Sequence, residues 1–397
     1  MKAATGMRRQ LSSMKWLRNR TAMFYVILGL LVLTFPGLVQ VATGGSGDHY
    51  VSEAGDAGVY VLLAIGLNVV VGYAGLLDLG YAAFFAIGSY TYAFFASNQL
   101  AFTPAHHAIH LPFWLLLFVG MVIAAGFGVA LGFPTLRLRG DYLAIVTLGF
   151  GEIVPRVFRN VPVWTAGVNG IGGLDVPVLP VWVNGPWAGL DFGVVRNFQL
   201  LDPTSYYVLM VVLLTGSIIA IHNLYDSRLG RAWVAIREDE NAAAAMGINP
   251  VAIKLLAFAI GAAFSGFAGS YYGAKLSLVD PESFSFIVSV TVLIMVALGG
   301  MGNIPGVIVG ALVMSYLLFD LLPNLPETAS SVAGFLGLSS LNTAKGDWPG
   351  LVDEVQRLRY VVFGLILLLV MILRPEGLIP SSTRRMELTS GTVDDAI

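Results

Sequence analysis

Residues 59–95 read VYVLLAIGLNVVVGYAGLLDLGYAAFFAIGSYTYAFF, and Asp78 is the single charged residue among them. Each half approaches the roughly 20 residues that cross a bilayer core as a helix. The glycine-rich stretch from Gly72 to Gly80 separates the halves. Transporters place irregular backbone of this kind, with a lone carboxylate, beside a cavity. We therefore predict two membrane helices joined by a break. The residues at this break that could line a transport pathway are Asn68, Gly72, Gly75 and Asp78. The position of Asp78 also predicts that it caps a helix beginning near Leu79.

The whole chain has the composition of an integral membrane protein. Of its 397 residues, 56% are hydrophobic and 12% are charged, and the mean hydropathy of +0.78 exceeds what a soluble domain requires. We predict an all-α integral membrane protein with about ten transmembrane helices, because helices satisfy their own backbone groups inside a bilayer. The predicted spans are 23–43, 57–74, 79–97, 112–133, 142–155, 205–223, 251–272, 286–301, 306–322 and 359–373. The lack of cysteine excludes disulfides and thiolate metal sites.

The basic residues predict the orientation of these spans. With a cytoplasmic N-terminus, 15 of the 22 Lys and Arg residues fall inside: six before residue 23, two at 137 and 139, four between 228 and 254, and three between 374 and 385. This excess follows the positive-inside rule and puts both termini in the cytoplasm. We expect the first span to be a retained anchor, because its apolar stretch is longer than that of a signal peptide, and cleavage is the alternative.

The expected organisation has three parts. They are a cytoplasmic segment 1–22, a transmembrane domain 23–380 and a cytoplasmic tail 381–397. Within the transmembrane domain we expect external loops at 156–204 and 323–358 and a cytoplasmic loop at 224–250. Neither external loop is long enough to fold alone around a sizeable core.

A second glycine-rich break joins the eighth and ninth predicted spans and reads GGMGNIPG from Gly299 to Gly306. Its candidate path residues are Gly299, Gly300, Gly302 and Asn303. For both breaks the alternative to a path-lining role is a tight cytoplasmic hairpin, and both interpretations stay open. Glu152 also has two interpretations, a path-lining acid or an i,i+4 ion pair with Arg156.

The cytoplasmic loop contains a strongly polar stretch, RLGRAWVAIREDENAAAAMGINP, from Arg228 to Pro250. Its acids followed by four alanines favour a helix, which Gly247 and Pro250 end. A membrane protein that keeps such a helix outside the bilayer offers it to a soluble partner. We therefore predict a docking helix in this stretch.

The chain carries no motif for chemistry of its own. The phosphate-binding pattern GxxxxGK[ST] is absent, as are HExxH and GxSxG. Histidines 106, 107 and 110 are neighbours without cysteine or acid support, which favours a solvated loop over a metal site. We predict a protein that is not an enzyme, uses no cofactor or metal, and has the lipid bilayer but no nucleic acid as a partner.

Several segments occur in order between about residues 57 and 380. They are Gly66–Gly80, Gly140–Ile153, Gly230–Glu240, Asp280–Phe284, Gly299–Gly306 and Arg374–Leu378. Together they resemble the permease subunits of branched-chain amino acid ABC importers of the LivM type. The resemblance implies an ABC importer permease fold in a bacterial inner membrane. It also implies a second permease subunit, two ATP-binding subunits and a periplasmic substrate-binding protein as partners.

The resemblance further implies that the loop at 224–250 docks on an ATP-binding subunit and couples its closure to transport. Carried over by position, the coupling residues are Arg237, Glu238, Asp239, Glu240, Ala243 and Gly247. The loop of such importers usually has an acid six positions before the glycine, where this chain has Asn241. Which acid touches the ATPase therefore stays open.

The leading functional hypothesis is ATP-driven uptake of leucine, isoleucine and valine. One alternative is the same machine serving urea, short amides or other neutral amino acids. A second is a stand-alone secondary transporter, which would couple ions through Asp78 or Glu152. Identification of the subunits that co-purify with the chain distinguishes a stand-alone transporter from either importer.

Overall fold

The computed structural model describes residues 32–104, 106–135, 141–177, 203–335, 350–373 and 377–379. These residues are mostly helical, and their two short strands, β1 Ile171–Gly172 and β2 Leu278–Val279, pair antiparallel. The helices are α1 Val32–Ala42, α2 Asp48–Asn68, α3 Tyr81–Phe95, α4 Gln99–Phe102, α5 Phe113–Thr135, α6 Asp141–Asn160, α7 Pro162–Thr165, α8 Pro203–Asp226, α9 Arg228–Glu238, α10 Glu240–Ala245, α11 Pro250–Leu276, α12 Phe286–Gly299, α13 Ile304–Tyr316, α14 Leu322–Phe335 and α15 Leu351–Leu373. The predicted segments 1–22 and 381–397 lie outside the described residues.

Five of the described helical stretches are long and apolar enough to cross a membrane. They are Asp48–Tyr73, Phe113–Thr135, Pro203–Asp226, Pro250–Leu276 and Ile304–Phe335. Two further apolar helices, α1 and α12, are shorter. The prediction of an all-α membrane protein is confirmed. The number of ten spans stays a prediction.

Helix α2 lies at the centre of the described fold. In its most apolar stretch 83% of the residues are buried, and it packs against α8, α11, α12 and α13. Helix α11 in turn packs against α3 and α5. Small residues on α11 allow this approach: the Ser265 hydroxyl donates to the Tyr81 carbonyl at 3.2 Å. A methyl group at Gly269 would lie 2.2 Å from the Phe85 carbonyl oxygen.

The structure describes helix in much of the expected external loop at 323–358. Helix α13 continues through a π-helical turn, Leu317–Leu321, directly into α14, and α15 already begins at Leu351. Residues 323–335 and 351–358 are therefore helical, and 336–349 lie outside the described residues. Pro323 suggested a loop, but it falls in the first turn of α14 beside the π turn, where a missing N–H is tolerated. The loop expected at 156–204 likewise begins with the last turn of α6, to Asn160.

Candidate coupling site

The first glycine-rich break begins inside α2. After Asn68 the helix widens into a π-helical turn, Val69–Tyr73, and the chain then leaves the helix. Gly75 has a φ of +69°, a conformation that residues with a Cβ rarely adopt. The side chain of Asn68 is fully buried. Such π turns frequently occur at functional positions in membrane and soluble helices.

The two breaks predicted from the sequence contact each other. The side-chain oxygen of Asn68 accepts a hydrogen bond from the Gly302 backbone nitrogen at 2.8 Å. Gly72 lies at the same contact, because a Cβ built on it would be 2.0 Å from that oxygen and 2.6 Å from the Gly302 nitrogen. The breaks are thus packed backbone to backbone, with room for no side chain at position 72.

Helix α9 connects to the same point. The Arg237 guanidinium Nη1 donates to the Gly72 carbonyl oxygen at 2.6 Å, and the Arg237 stem packs 3.1 Å from the position of a Cβ on Gly75. This hydrogen bond is charge-assisted and therefore stronger than a neutral one. We call the contact among Asn68, Gly72, Gly302 and Arg237 the break junction.

Helix α9 is also held firmly on α11. The Trp233 side chain is completely buried, and its indole Nε1 donates to the Ile253 carbonyl at 2.8 Å. Ile236 is buried beside it. Helix α9 consequently contacts both α11 and, through Arg237, the break junction.

The predicted docking helix is two helices with a corner between them, α9 and α10. Asp239 has an extended conformation and its Oδ1 accepts from the backbone nitrogens of Asn241 and Ala242, at 2.8 and 3.0 Å. This side chain caps α10 and therefore ends α9 one residue earlier. Gly247, with a φ of +87°, ends α10. The prediction of a single helix was wrong, because Asp239 lies in the middle of the stretch and caps a second helix there.

The coupling residues carried over from the resemblance divide into two groups. Glu238, Asp239 and Glu240 are exposed, and Glu240 Oε2 accepts from Lys254 Nζ at 2.6 Å. Ala243 is buried against its own chain. Ala243 thus seats α10 on the protein, whereas the acids face outward.

The tip of α10 presents an apolar residue to the surroundings. The side chain of Met246 is 85% exposed, directly before Gly247 in the chain. An exposed methionine at the end of a polar helix is available for contact with a partner. Methionine adapts its shape readily to a partner surface.

The second break is also held by the segment 377–379. The backbone nitrogens of Leu378 and Ile379 donate to the carbonyls of Leu298 and Gly299 at 2.7 and 3.1 Å. The Asn303 side-chain amide donates to the Ile379 carbonyl at 2.9 Å. Close packing of glycines accompanies these bonds: a Cβ on Gly377 would lie 2.7 Å from the Cα of Gly300, and one on Gly299 would lie 2.4 Å from the Gly306 oxygen.

Asp78 lies in the segment between the two membrane helices, and it is not the N-cap of α3. That helix begins at Tyr81 and its N-cap residue is Gly80. The Asp78 Oδ1 accepts from the Gly80 nitrogen at 2.9 Å, and its Oδ2 is buried without a hydrogen-bond partner. Burial raises the pKa of Asp78 to about 7, and the bond from Gly80 opposes this shift.

Glu152 lies away from the break junction. Its Oε2 accepts from Arg156 Nη2 at 2.8 Å, and both side chains are substantially exposed. The i,i+4 ion pair proposed for it is therefore formed. Of the three neighbouring histidines, His110 contacts Asp175 at 2.6 Å and Asn98 at 3.1 Å. Among the described residues no group of acids and histidines has the arrangement of a metal site.

A buried lysine beside the N-terminal half of α2 was not predicted from the sequence. Lys275 Nζ donates to Asp56 Oδ1 at 2.7 Å and to the Ser52 carbonyl at 2.9 Å. Lys275 follows an apolar span, where a basic residue usually extends to the interface. Small residues recur every four positions on α11, at Gly261, Ser265, Gly269 and Gly273. This pattern reaches almost to Lys275 and was the signal that the last turn of α11 still packs closely inside the protein.

Long apolar helices, two broken segments packed together and an outward-facing helical pair define a multi-pass membrane permease. A family model described as the permease component of the branched-chain amino acid transport system matches residues 50–371. The chain belongs to this family, and the resemblance stated above is confirmed.

The similar proteins include two called high-affinity branched-chain amino acid transport system permease protein LivM. The one from Escherichia coli K12 is 37% identical over 384 residues, which cover 93% of this chain and 77% of the relative. The one from Salmonella typhimurium is 38% identical over 348 residues, covering 84% and 70%. The LivH permease of Escherichia coli K12 is 28% identical over 259 residues, covering 64% and 79%. No solved structure matches.

Proposed function

We propose that the chain is the permease subunit of an ATP-driven importer of leucine, isoleucine and valine. The family match and the names of the two LivM relatives support this substrate class. The same machine serving urea, short amides or other neutral amino acids is the second candidate. ATP hydrolysis belongs to separate subunits, since the chain has no phosphate-binding loop.

The observation that carries the coupling role is the hydrogen bond from Arg237 Nη1 to the Gly72 carbonyl. It joins the exposed pair α9–α10 to a break in a membrane helix. A soluble subunit that displaces α10 therefore also displaces the backbone of the break. On this proposal the two packed breaks change their arrangement during transport and so supply the bistable element that such coupling requires.

The docking surface for an ATP-binding subunit consists of the exposed acids Glu238, Asp239 and Glu240 together with Met246. The acids attract a basic groove, and the methionine supplies adaptable apolar contact. Ala243 and Gly247 fix the angle of α10. On this proposal α9 and α10 lie in the cytoplasm, as do both termini, and the membrane is the bacterial inner membrane.

A second permease completes the translocation path. The chain is similar to both LivM and LivH permeases, which supports a pair of related permeases facing each other. The amino acid passes along their interface beside the two breaks, where backbone lines the path. A periplasmic binding protein delivers the substrate on the external side, and two ATP-binding subunits bind inside.

The proposal is tested by reconstitution. The chain is co-expressed with a LivH-type permease, two ATP-binding subunits and the binding protein, and the complex is placed in liposomes. We expect leucine uptake that requires ATP and every subunit. Uptake by this chain alone, driven by an ion gradient, would refute the importer and favour a secondary transporter. Uptake of urea or an amide in preference to leucine would select the second candidate.

A further inference from the structure

The ion pair of Lys275 and Asp56 connects two central helices, α11 and α2. The Lys275 side chain is 8% exposed and that of Asp56 is 33% exposed. Gly55 lies beside the ammonium group, because a Cβ on it would be in van der Waals contact with Lys275 Nζ at 3.4 Å. Asp56 precedes Gly72 by 16 positions, which is about 24 Å along a helix. The pair therefore lies in the N-terminal half of α2, well away from the break junction.

Holding two helices together with such a pair has a high desolvation cost. Removing an ammonium ion from water costs several kcal/mol, and a well-packed apolar pair usually holds helices equally well. Ionisable residues retained inside a membrane domain commonly mark substrate or ion paths. Asp56 Oδ2 accepts no hydrogen bond within the described part of the chain, so one oxygen is available to a ligand.

The surroundings of the pair carry excess negative charge. Glu53, one turn before Asp56, contacts His49 at 3.0 Å. Asp320 lies in the π-helical turn Leu317–Leu321, next to Phe319, whose ring is 5.1 Å from that of Tyr60 on α2. Three carboxylates thus lie in this region together with one lysine and one histidine. This balance favours binding of a cationic group such as an ammonium.

An apolar wall of aromatic rings adjoins the charged pair. Tyr60 lies one turn after Asp56 on α2, and Tyr272 lies one turn before Lys275 on α11. The Tyr60 ring lies 5.1 Å from that of Phe319, and the Tyr272 ring lies 5.1 Å from that of Phe85. Aromatic faces bury aliphatic side chains well. The ion pair and the neighbouring aromatic rings could therefore bind the charged groups and the aliphatic side chain of one ligand.

We infer that Asp56 and Lys275 bind the charged groups of an aliphatic amino acid as it enters the permease. Asp56 leaves Lys275 and accepts from the α-ammonium, and Lys275 then donates to the α-carboxylate. The aliphatic side chain packs on Tyr60 and Tyr272. No covalent bond changes. The inference rests on the proposed function, and it favours zwitterionic amino acids over urea or amides, which lack this pair of charges.

The test measures leucine uptake by the complete reconstituted complex at saturating ATP and leucine-loaded binding protein. Asp56→Asn keeps an acceptor for Lys275 but loses the charge, and Lys275→Met loses the ammonium. We expect each to lower uptake about tenfold or more, with the ATPase rate retained. Arg357→Met, which breaks an exposed contact of 3.9 Å with Glu354, is the matched control and should transport normally.

A purely structural ion pair is distinguished by exchanging the charges. The double variant Asp56→Lys with Lys275→Asp restores attraction between the helices but reverses the polarity of the site. We expect its uptake to remain low. Normal uptake by this double variant, or by Asp56→Asn, would overturn the inference. If Lys275→Met fails to co-elute with its partner subunits, the leucine uptake of Asp56→Asn tests the inference by itself. Absence of ATP-driven uptake by the unaltered complex would instead refute the proposed function.

Discussion

A methyl group added at Gly72 would lie 2.0 Å from the Asn68 side-chain oxygen and 2.6 Å from the Gly302 nitrogen. Neither neighbour is the free end of a flexible chain, because Asn68 is buried and Gly302 is backbone. The hydrogen bond between the breaks therefore has to open to admit it. At the residue scale, Gly72 is the position where the smallest change disturbs the break junction most.

We predict that Gly72→Ala lowers ATP-driven leucine uptake about tenfold while ATP hydrolysis continues, because the breaks no longer pack. Uptake and phosphate release are measured together in proteoliposomes. The matched control is Gly216→Ala in α8, where a Cβ meets nothing within 4 Å. Equal uptake by the two variants would show that the packed breaks do not control transport.

Asp78 gives a prediction about pH, since burial raises the pKa of its carboxyl to about 7. The folded chain then keeps this proton up to about pH 7, whereas the unfolded chain loses it near pH 4. The folded state binds more protons in this interval, so its stability falls as the pH rises from about 4 to 7 and stays reduced above.

Replacing Asp78 by Asn removes the charge and keeps an oxygen for the Gly80 nitrogen. We predict a melting temperature higher by about 2 °C or more at pH 8, and little difference near pH 4. Thermal unfolding of the purified protein in detergent measures this. Asp353→Asn, on the exposed first turn of α15, is the control. A pH-independent effect of Asp78→Asn would contradict the assignment of a buried, ionising carboxyl.

At the scale of elements, the pair α9–α10 is held rigidly on one side and open on the other. Trp233 and Arg237 fix α9 to α11 and to the first break. Asp239 makes the corner by capping α10, and the loss of such a cap costs about 1 kcal/mol. The corner therefore sets the direction in which Met246 faces a partner.

We predict that Gly247→Pro uncouples ATP hydrolysis from uptake, because proline cannot adopt the φ of +87° that ends α10. Reversing the charges of Glu238, Asp239 and Glu240 has the same effect, because it weakens docking and also removes the Asp239 cap of α10. Membrane insertion is retained in both. Normal ATP-dependent uptake by these variants would refute the docking role of α10.

Because the chain has no cysteine, a single introduced thiol reports the position of α10. We predict that a membrane-impermeant maleimide reaches Met246→Cys only from the cytoplasmic side, and that bound ATP-binding subunits protect it. Val168→Cys, 64% exposed in the expected external loop, should react only from outside. Labelling of Met246→Cys from outside would reverse the proposed orientation.

Sequence alone predicted the separate elements but only some of their contacts. The helix break near Gly72 and the exposed stretch after Arg228 were predictable, since polarity and glycine content act locally. The bond between Asn68 and Gly302 joins residues 234 positions apart, and no periodicity encodes such a pairing. Lys275 was missed for the same reason, because its burial depends on Asp56 of a distant helix.

At the scale of the whole molecule, α2 and its π turn carry two separated polar contacts. Arg237 bonds to Gly72 in the π turn, and Lys275 bonds to Asp56 in the N-terminal half of α2. A displacement of α2 along or about its axis alters both contacts together, because one largely buried helix bears them. On the proposed function, this links the docking surface to substrate entry through a single rigid element.

The central claim is that Arg237 transmits the movement of an ATP-binding subunit to the break in α2. The most direct test is the number of leucine molecules imported per ATP hydrolysed by the complete complex carrying Arg237→Met, compared with the unaltered complex. Methionine keeps most of the stem packed on Gly75 and removes the donor to Gly72. We predict continued hydrolysis with the import ratio reduced about tenfold. An unchanged ratio in a properly assembled complex would contradict it.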